Sequence, residues 1–396
     1  MNGPENLIDV PVNSAPLPQV KNHTAFPSQY YQMLDVSDQV FHVVVCRQTF
    51  NLRKIDNEGC LVLADEQSPL VASDQFYGDL NVSSIIQESD FAPYKPKCDI
   101  LFAYAYGYAP GGEASPRWPV AVHIDAWQKQ IAVTGQRKLR RTDTSSLQLT
   151  EPEAATQIPI CYEKAYGGTN PWPVEDPDPE QSHSEPRNPI GCGYLNEQWL
   201  ERCQLNDFPA PQMEAFEQPY TANTPDYPVI GLGALGRHWL PRHTKAGTYD
   251  EAWKAQRWPY LPLDFDFGYW NCAPDDQQID YPQGGESVTL INLNQQSPAV
   301  NFRLPKFTVK LLLHLEAGIP LFKDMNVDTL LFDMKNFQLI VVQRALISAS
   351  AGVDSLGIGT WDIEAARAAN AQIQERQLES GQSQEPIQVP GATDGR

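Results

Sequence analysis

From Phe307 to Leu315 every second residue is apolar: Phe307, Val309, Leu311, Leu313 and Leu315. A period of two puts all five on one face of an extended strand, where a helix would scatter them. The rest of the chain repeats the message. Gln39 to Leu52 is rich in β-branched and aromatic residues, and Leu61–Leu63 is placed to return beside it. Ile100, Phe102, Tyr104 and Tyr106 alternate with Ala103 and Ala105 up to a Pro110-Gly111-Gly112 turn. Val120, Val122 and Ile124 precede Ile131-Ala132-Val133, and Val327–Phe332 faces Phe337–Arg344 across a four-residue loop. Thirty-four prolines and twenty-five glycines supply the turns that such strands need. The fold class these patterns predict is α+β and β-rich. Its sheets are mostly antiparallel and sandwich-like, with few helices and long ordered Pro/Gly-rich loops.

The expected organisation has five parts. Residues 1–28 form an N-terminal arm, residues 29–145 a first β-rich subdomain, and residues 155–350 a second. A polar stretch at 140–158 is the expected boundary. Residues 360–378 are Ala-rich and read as a C-terminal helix, and residues 380–396 as a disordered tail. The pattern leaves open whether the two subdomains are separate sandwiches or one continuous fold. A further helix is expected after Gly247, where Thr248 and Glu251 fit a capping box and Pro259 sets the end. A short amphipathic piece is expected between Ser83 and Pro93.

The formal charge of -20 argues against nucleic acid and anionic membranes, both of which need clustered Lys and Arg. The first residues lack the basic and apolar regions of a signal peptide, and no apolar run reaches ~18 residues. Seven scattered cysteines without a C-x-x-C read as reduced thiols. A cytoplasmic location is the expectation.

Arg237 to Gln278 is the densest stretch in unusual residues, with four tryptophans. Gly231 to Gly236 matches G-x-G-x-x-G, but Pro241 stands where the nucleotide-binding helix should run, so a glycine-rich loop is expected. His238 and His243 are five apart with Pro241 between them, a poor metal spacing. No cofactor and no metal are expected. Asp264, Asp266, Asp275 and Asp276 fit turn capping better than paired acid–base chemistry. The aromatics fit a core, a protein interface or a ligand groove.

Those residues also carry a resemblance. Ser89–Pro96 with Asp99, Tyr162–Gly168, Arg187–Gly191, Arg237–Arg242, Ala246–Trp253, Leu261–Asp266 and Asn271–Gln278 stand in the order of one bacterial family. It is the domain of unknown function numbered twenty-one sixty-nine, found in type VI secretion gene clusters. The likeness runs over roughly residues 30–348 and departs at Cys272 and Asp275, where the family pattern has Ala and Pro. It implies a cytosolic adaptor or chaperone, not an enzyme, that helps load a secreted toxin effector onto the spike (VgrG-type) and spike-tip (PAAR-type) proteins. Arg237, Trp239, Arg242, Trp253 and Trp258 are the expected partner-binding residues. The alternatives are a glycan-processing hydrolase using Asp264, Asp266, Asp275 or Asp276, and a non-catalytic small-molecule or carbohydrate-binding protein.

Overall fold

Val40–Ile55 is the longest element, a sixteen-residue strand whose β-branched run suits a pleated surface. The computed structural model describes residues 17–142, 146–171, 183–222, 226–316 and 320–361. Val40–Ile55 sits inside a seven-stranded sheet. Ser28–Leu34 pairs one side of it and Gln338–Ser348 the other. Beyond them run Asn326–Asp333, Cys98–Ala103 and the short Gln278–Ile279, while Leu61–Leu63 turns back on the long strand. Only the pairing of Asn326–Asp333 with Cys98–Ala103 is parallel in this sheet.

Alternation then assigns the faces. Phe50 and Leu52 join Ile100, Phe102, Leu330, Phe332, Leu339 and Val341 in the main core. Phe102 and Phe332 stack with ring centroids 4.6 Å apart. Opposite them lies a five-stranded antiparallel sheet whose centre is the hairpin Arg117–Ile124 and Trp127–Thr134. It contributes Val120, Val122, Ile131, Val133, Val288 and Leu290. Each such side chain, fully buried, contributes about 1.5–3 kcal/mol. Farther along the same face, Val44, Cys46, Ala345 and Ile347 meet a second sheet. That sheet supplies Leu311 and Leu313 from the alternating run, with Leu356 and Ile358. Its strand order is Gln19–Asn22, Val353–Thr360, Val309–Leu315, Pro320–Asp324.

Several expectations change here. Strands from 29–145 and from 155–350 lie side by side in both large sheets, so those ranges do not separate into two sandwiches. The polar stretch near 140–158 is not a boundary. Lys138–Arg141 pairs with Leu147–Leu149 and Asp207–Pro209, over a satellite core of Leu139, Tyr166, Phe208, Tyr220 and Tyr227. The arm is partly an edge strand, since Gln19–Asn22 pairs in parallel with Val353–Thr360. The expected amphipathic piece contains the short strand Ile85–Gln87. Thr360, the first residue of the expected C-terminal helix, ends a strand. The rest of that helix beyond Trp361, and the tail, lie outside the described residues. Three short α-helices occur among the described residues.

One buried group makes stability depend on pH. His42 is buried beside Val43 and Val44, with Nδ1 2.8 Å from the Tyr30 hydroxyl. Burial lowers its pKa from the usual 6.5. Below that pH the unfolded chain takes up a proton that the folded chain refuses. The stability is therefore present above 6.5 and is lost as pH falls through the lowered folded value. Melting temperature should drop between about pH 7.5 and about pH 5.5, and His42→Phe should flatten that drop. Equal slopes for parent and variant would remove His42 as the source.

Candidate functional site

The other face of the seven-stranded sheet is charged. Arg47 stands beside Val342, Arg344 beside Val45, and Asp99 beside Thr329. A charge on a covered sheet face must find a partner, because desolvation costs several kcal/mol per ion. Each one does. Arg47 meets Asp90 at 2.9 Å, Arg344 meets Asp328 at 2.6 Å, and Lys95 meets Asp99 at 2.8 Å. The covering chain adds Arg242 on Glu88, and Arg237 on Asp74 at 2.8 Å. Burial alone would lower the Lys95 ammonium, but the Asp99 carboxylate reverses this and holds its pKa above the usual lysine value. Burial would likewise raise Asp74, and the Arg237 guanidinium overrides it and lowers the pKa. Between Arg47, Glu88, Lys95, Cys272 and Arg344 remains a cavity of about 20 Å³. That is room for one water and for no substrate.

This layer holds the two ends of the signature stretch, Arg237 and Arg242 on one side and Asn271 to Gln277 on the other. The Asp99 carboxylate accepts from the Asn271 side chain at 2.9 Å, the Cys272 N–H at 3.0 Å and the Ala273 N–H at 3.2 Å. Gln277 donates to the Ile100 and Leu232 carbonyls, and Lys129 donates to its Oε1 at 2.7 Å. The glycines of 231–236 permit close approach. A Cβ on Gly231 would lie 2.5 Å from the Tyr162 ring, and one on Gly236 2.5 Å from the Trp239 indole nitrogen. The loop is not followed by a long helix; Leu240–His243 is a single turn.

The expected partner-binding residues divide by exposure. Trp239 and Arg242, both 2% exposed, are interior. Trp239 packs edge-on against Tyr162, and Arg242 also donates to the Leu235 and Tyr269 carbonyls. Neither presents surface to a partner, which corrects the expectation for these two. Arg237 is half-buried between Asp74, Glu88 and the Trp270 ring. Trp253 is half-buried and donates its indole N–H to the Tyr260 carbonyl. Trp258 alone of the five is open, at 63%.

Trp258 stands on a knob, residues 247–264, that the sequence read differently. Its helix is Glu251–Gln256, capped by Asp250 accepting from the Trp253 N–H at 2.8 Å. Thr248 is not the cap. Its hydroxyl and N–H both donate to Asp264, closing the base of the knob. Gly247, at φ +80, makes the turn into it. Arg257 pins the knob to the turn between Ser28–Leu34 and Val40–Ile55 through both Asp38 oxygens, at 2.8 and 2.9 Å, and the Val36 carbonyl. No residue of the helix is buried. So braced, the knob presents Tyr249 at 52%, Trp258 at 63% and Leu263 at 70%. Tyr249 belongs to the aromatics read as core, interface or ligand groove but was not singled out, and Leu263 was missed, since neither falls in a periodic pattern.

The four candidate aspartates serve turns and ion pairs. Asp264 holds Thr248, Asp266 accepts from the Gly268 N–H, Asp275 meets Lys245 at 3.0 Å, and Asp276 meets Lys129 at 2.8 Å. His238 and His243 are both exposed. Among the described residues no three His, Cys, Asp or Glu side chains cluster as metal ligands.

The geometry defines a β-rich layered protein with an ion-paired sheet face and an outward aromatic knob. A family model described as an uncharacterized protein conserved in bacteria (DUF2169) matches residues 38–344, and the chain belongs to that family. No curated protein and no solved structure matches it. No helix among the described residues is long and apolar enough to cross a membrane.

Proposed function

We propose that this chain is a cytoplasmic, non-catalytic adaptor of a type VI secretion system. It holds a toxin effector and delivers it to the spike or spike-tip protein. The knob carries this reading. Tyr249, Trp258 and Leu263 keep large apolar area in water on a loop closed at its base by Thr248 and Asp264 and pinned through Arg257. Covering such area returns about 25 cal/mol per Å², and bracing removes the ordering cost of binding. The charge of -20 favours a client with a basic rim and speeds its encounter. A hydrolase would need two free carboxyls across a groove, whereas Asp264, Asp266, Asp275 and Asp276 are locally engaged.

The test is purification of the tagged chain from its own cell, with and without the toxin gene beside it. The toxin should co-purify, and its delivery should fail when the chain is deleted. Normal toxin level and delivery without the chain would end the adaptor reading.

A further inference from the structure

Beside the ion-paired layer, on the same face of the large sheet, opens a cleft of about 260 Å³. Val71, Ile86, Ala103, Leu331 and Ile340 give it an apolar floor. Its charged neighbours are mostly engaged. Arg47 is held by Asp90 and Gln87, and Asp333 accepts from the Lys335 and Asn336 amides of its own turn. Lys335 is the exception. Its ammonium makes no ion pair or hydrogen bond among the described residues and stands 5.1 Å above the Tyr104 ring. Tyr104 is itself held in an unusual backbone state, φ 54. Its N–H donates to the Tyr77 hydroxyl, and the two rings pack edge to face at 5.0 Å. A non-glycine residue kept in that region costs energy and points to a local role. Here it fixes the platform under a free cation at the lip of an apolar hollow. At the mouth, the Ser68 hydroxyl and the Gln75 amide nitrogen also have no hydrogen-bond partner among the described residues.

We propose that this cleft binds the carboxy-terminal residue of a peptide. The apolar side chain lies on Leu331 and Ile340, and the carboxylate faces Lys335. The backbone of the preceding residue meets Ser68 and Gln75. The volume suits one residue and is below the ~300–1,000 Å³ typical of drug-sized ligand sites. This site does not depend on the adaptor reading, since it shares no residue with the knob.

The experiment is fluorescence anisotropy with an N-terminally labelled Gly-Ser-Gly-Leu peptide. Its C-terminal amide and N-acetyl-leucine serve as comparisons. The free-carboxylate peptide should saturate, and the amide should bind at least ~10-fold more weakly. Lys335→Ala should cause the same loss with an unchanged melting temperature, since Lys335 is exposed, and Lys335→Arg should retain most binding. Ser68→Trp should block the mouth. Equal binding of acid and amide, an unaffected Lys335→Ala, or no saturation by ~1 mM would overturn the proposal. Binding of N-acetyl-leucine without the peptide would overturn the peptide occupant and assign a small acid.

Discussion

Alanine at Arg242 is expected to lower the unfolding free energy by about 3–5 kcal/mol. The guanidinium is 2% exposed and donates to Glu88, Leu235 and Tyr269. Removing it strands the Glu88 carboxylate, whose other cation, Arg237, lies farther off at 3.4 Å and is already bonded to Asp74. It also leaves two carbonyls without donors and a hole under Tyr269. Most of the cost lies in the orphaned charge, because a buried ion pair gains little over an apolar pair of similar volume. The double variant Arg242→Met with Glu88→Leu should therefore recover part of the loss. Urea denaturation measures both. A loss below about 1 kcal/mol for Arg242→Ala would mean that water solvates the pair and that the layer is not a dry structural element.

The sequence displayed the strands well because their signal is local. Alternation at 309–315 reflects one covered face, and the unbroken β-branched run at 40–52 a strand covered on both. Phe307, expected in the same strand as 309–315, lies before it and packs on the main core. What hid was anything set by distant partners. Cys98–Ala103 is buried on both faces, since Asn271–Ala273 and Ala234 cover the second. No local pattern announces that cover. The ion-paired layer did leave a trace: Arg47 inside VVVCRQTF, Arg344 inside VVQRAL and Asp99 inside CDILF are single charges within apolar strands. A charge there has to be paired, so these residues marked the face even though their partners could not be named. The helix cap was misplaced because Thr248 and Asp250 are both good caps. The choice was made by Asp264, sixteen residues away, which takes the Thr248 hydroxyl. The partner-binding residues divided for the same reason. Trp239 and Trp258 look alike in sequence, and what separates core from surface is distant cover: Tyr162 and the main core close over Trp239, and nothing in the local pattern announces it.

That separation gives the sharpest functional prediction. Trp258→Ala should leave stability within about 0.5 kcal/mol of the parent, because a side chain 63% exposed loses few contacts. It should weaken client binding by at least about 2 kcal/mol, roughly 30-fold in Kd, the usual effect of truncating a central tryptophan anchor. Trp239→Ala should do the reverse to stability. It empties a 2% exposed site against Tyr162 and is expected to cost about 3–5 kcal/mol. Asp38→Ala tests the bracing. It removes both carboxylate contacts of Arg257, leaving it the Val36 and Leu261 carbonyls, and so loosens the knob while keeping every exposed apolar group; binding should weaken less than for Trp258→Ala. Biolayer interferometry with the immobilised toxin, beside thermal melts of each variant, reads both quantities. If Trp258→Ala binds the toxin as the parent does, the knob is not the docking surface. If Asp38→Ala binds as weakly as Trp258→Ala, the orientation of the knob matters as much as its apolar area.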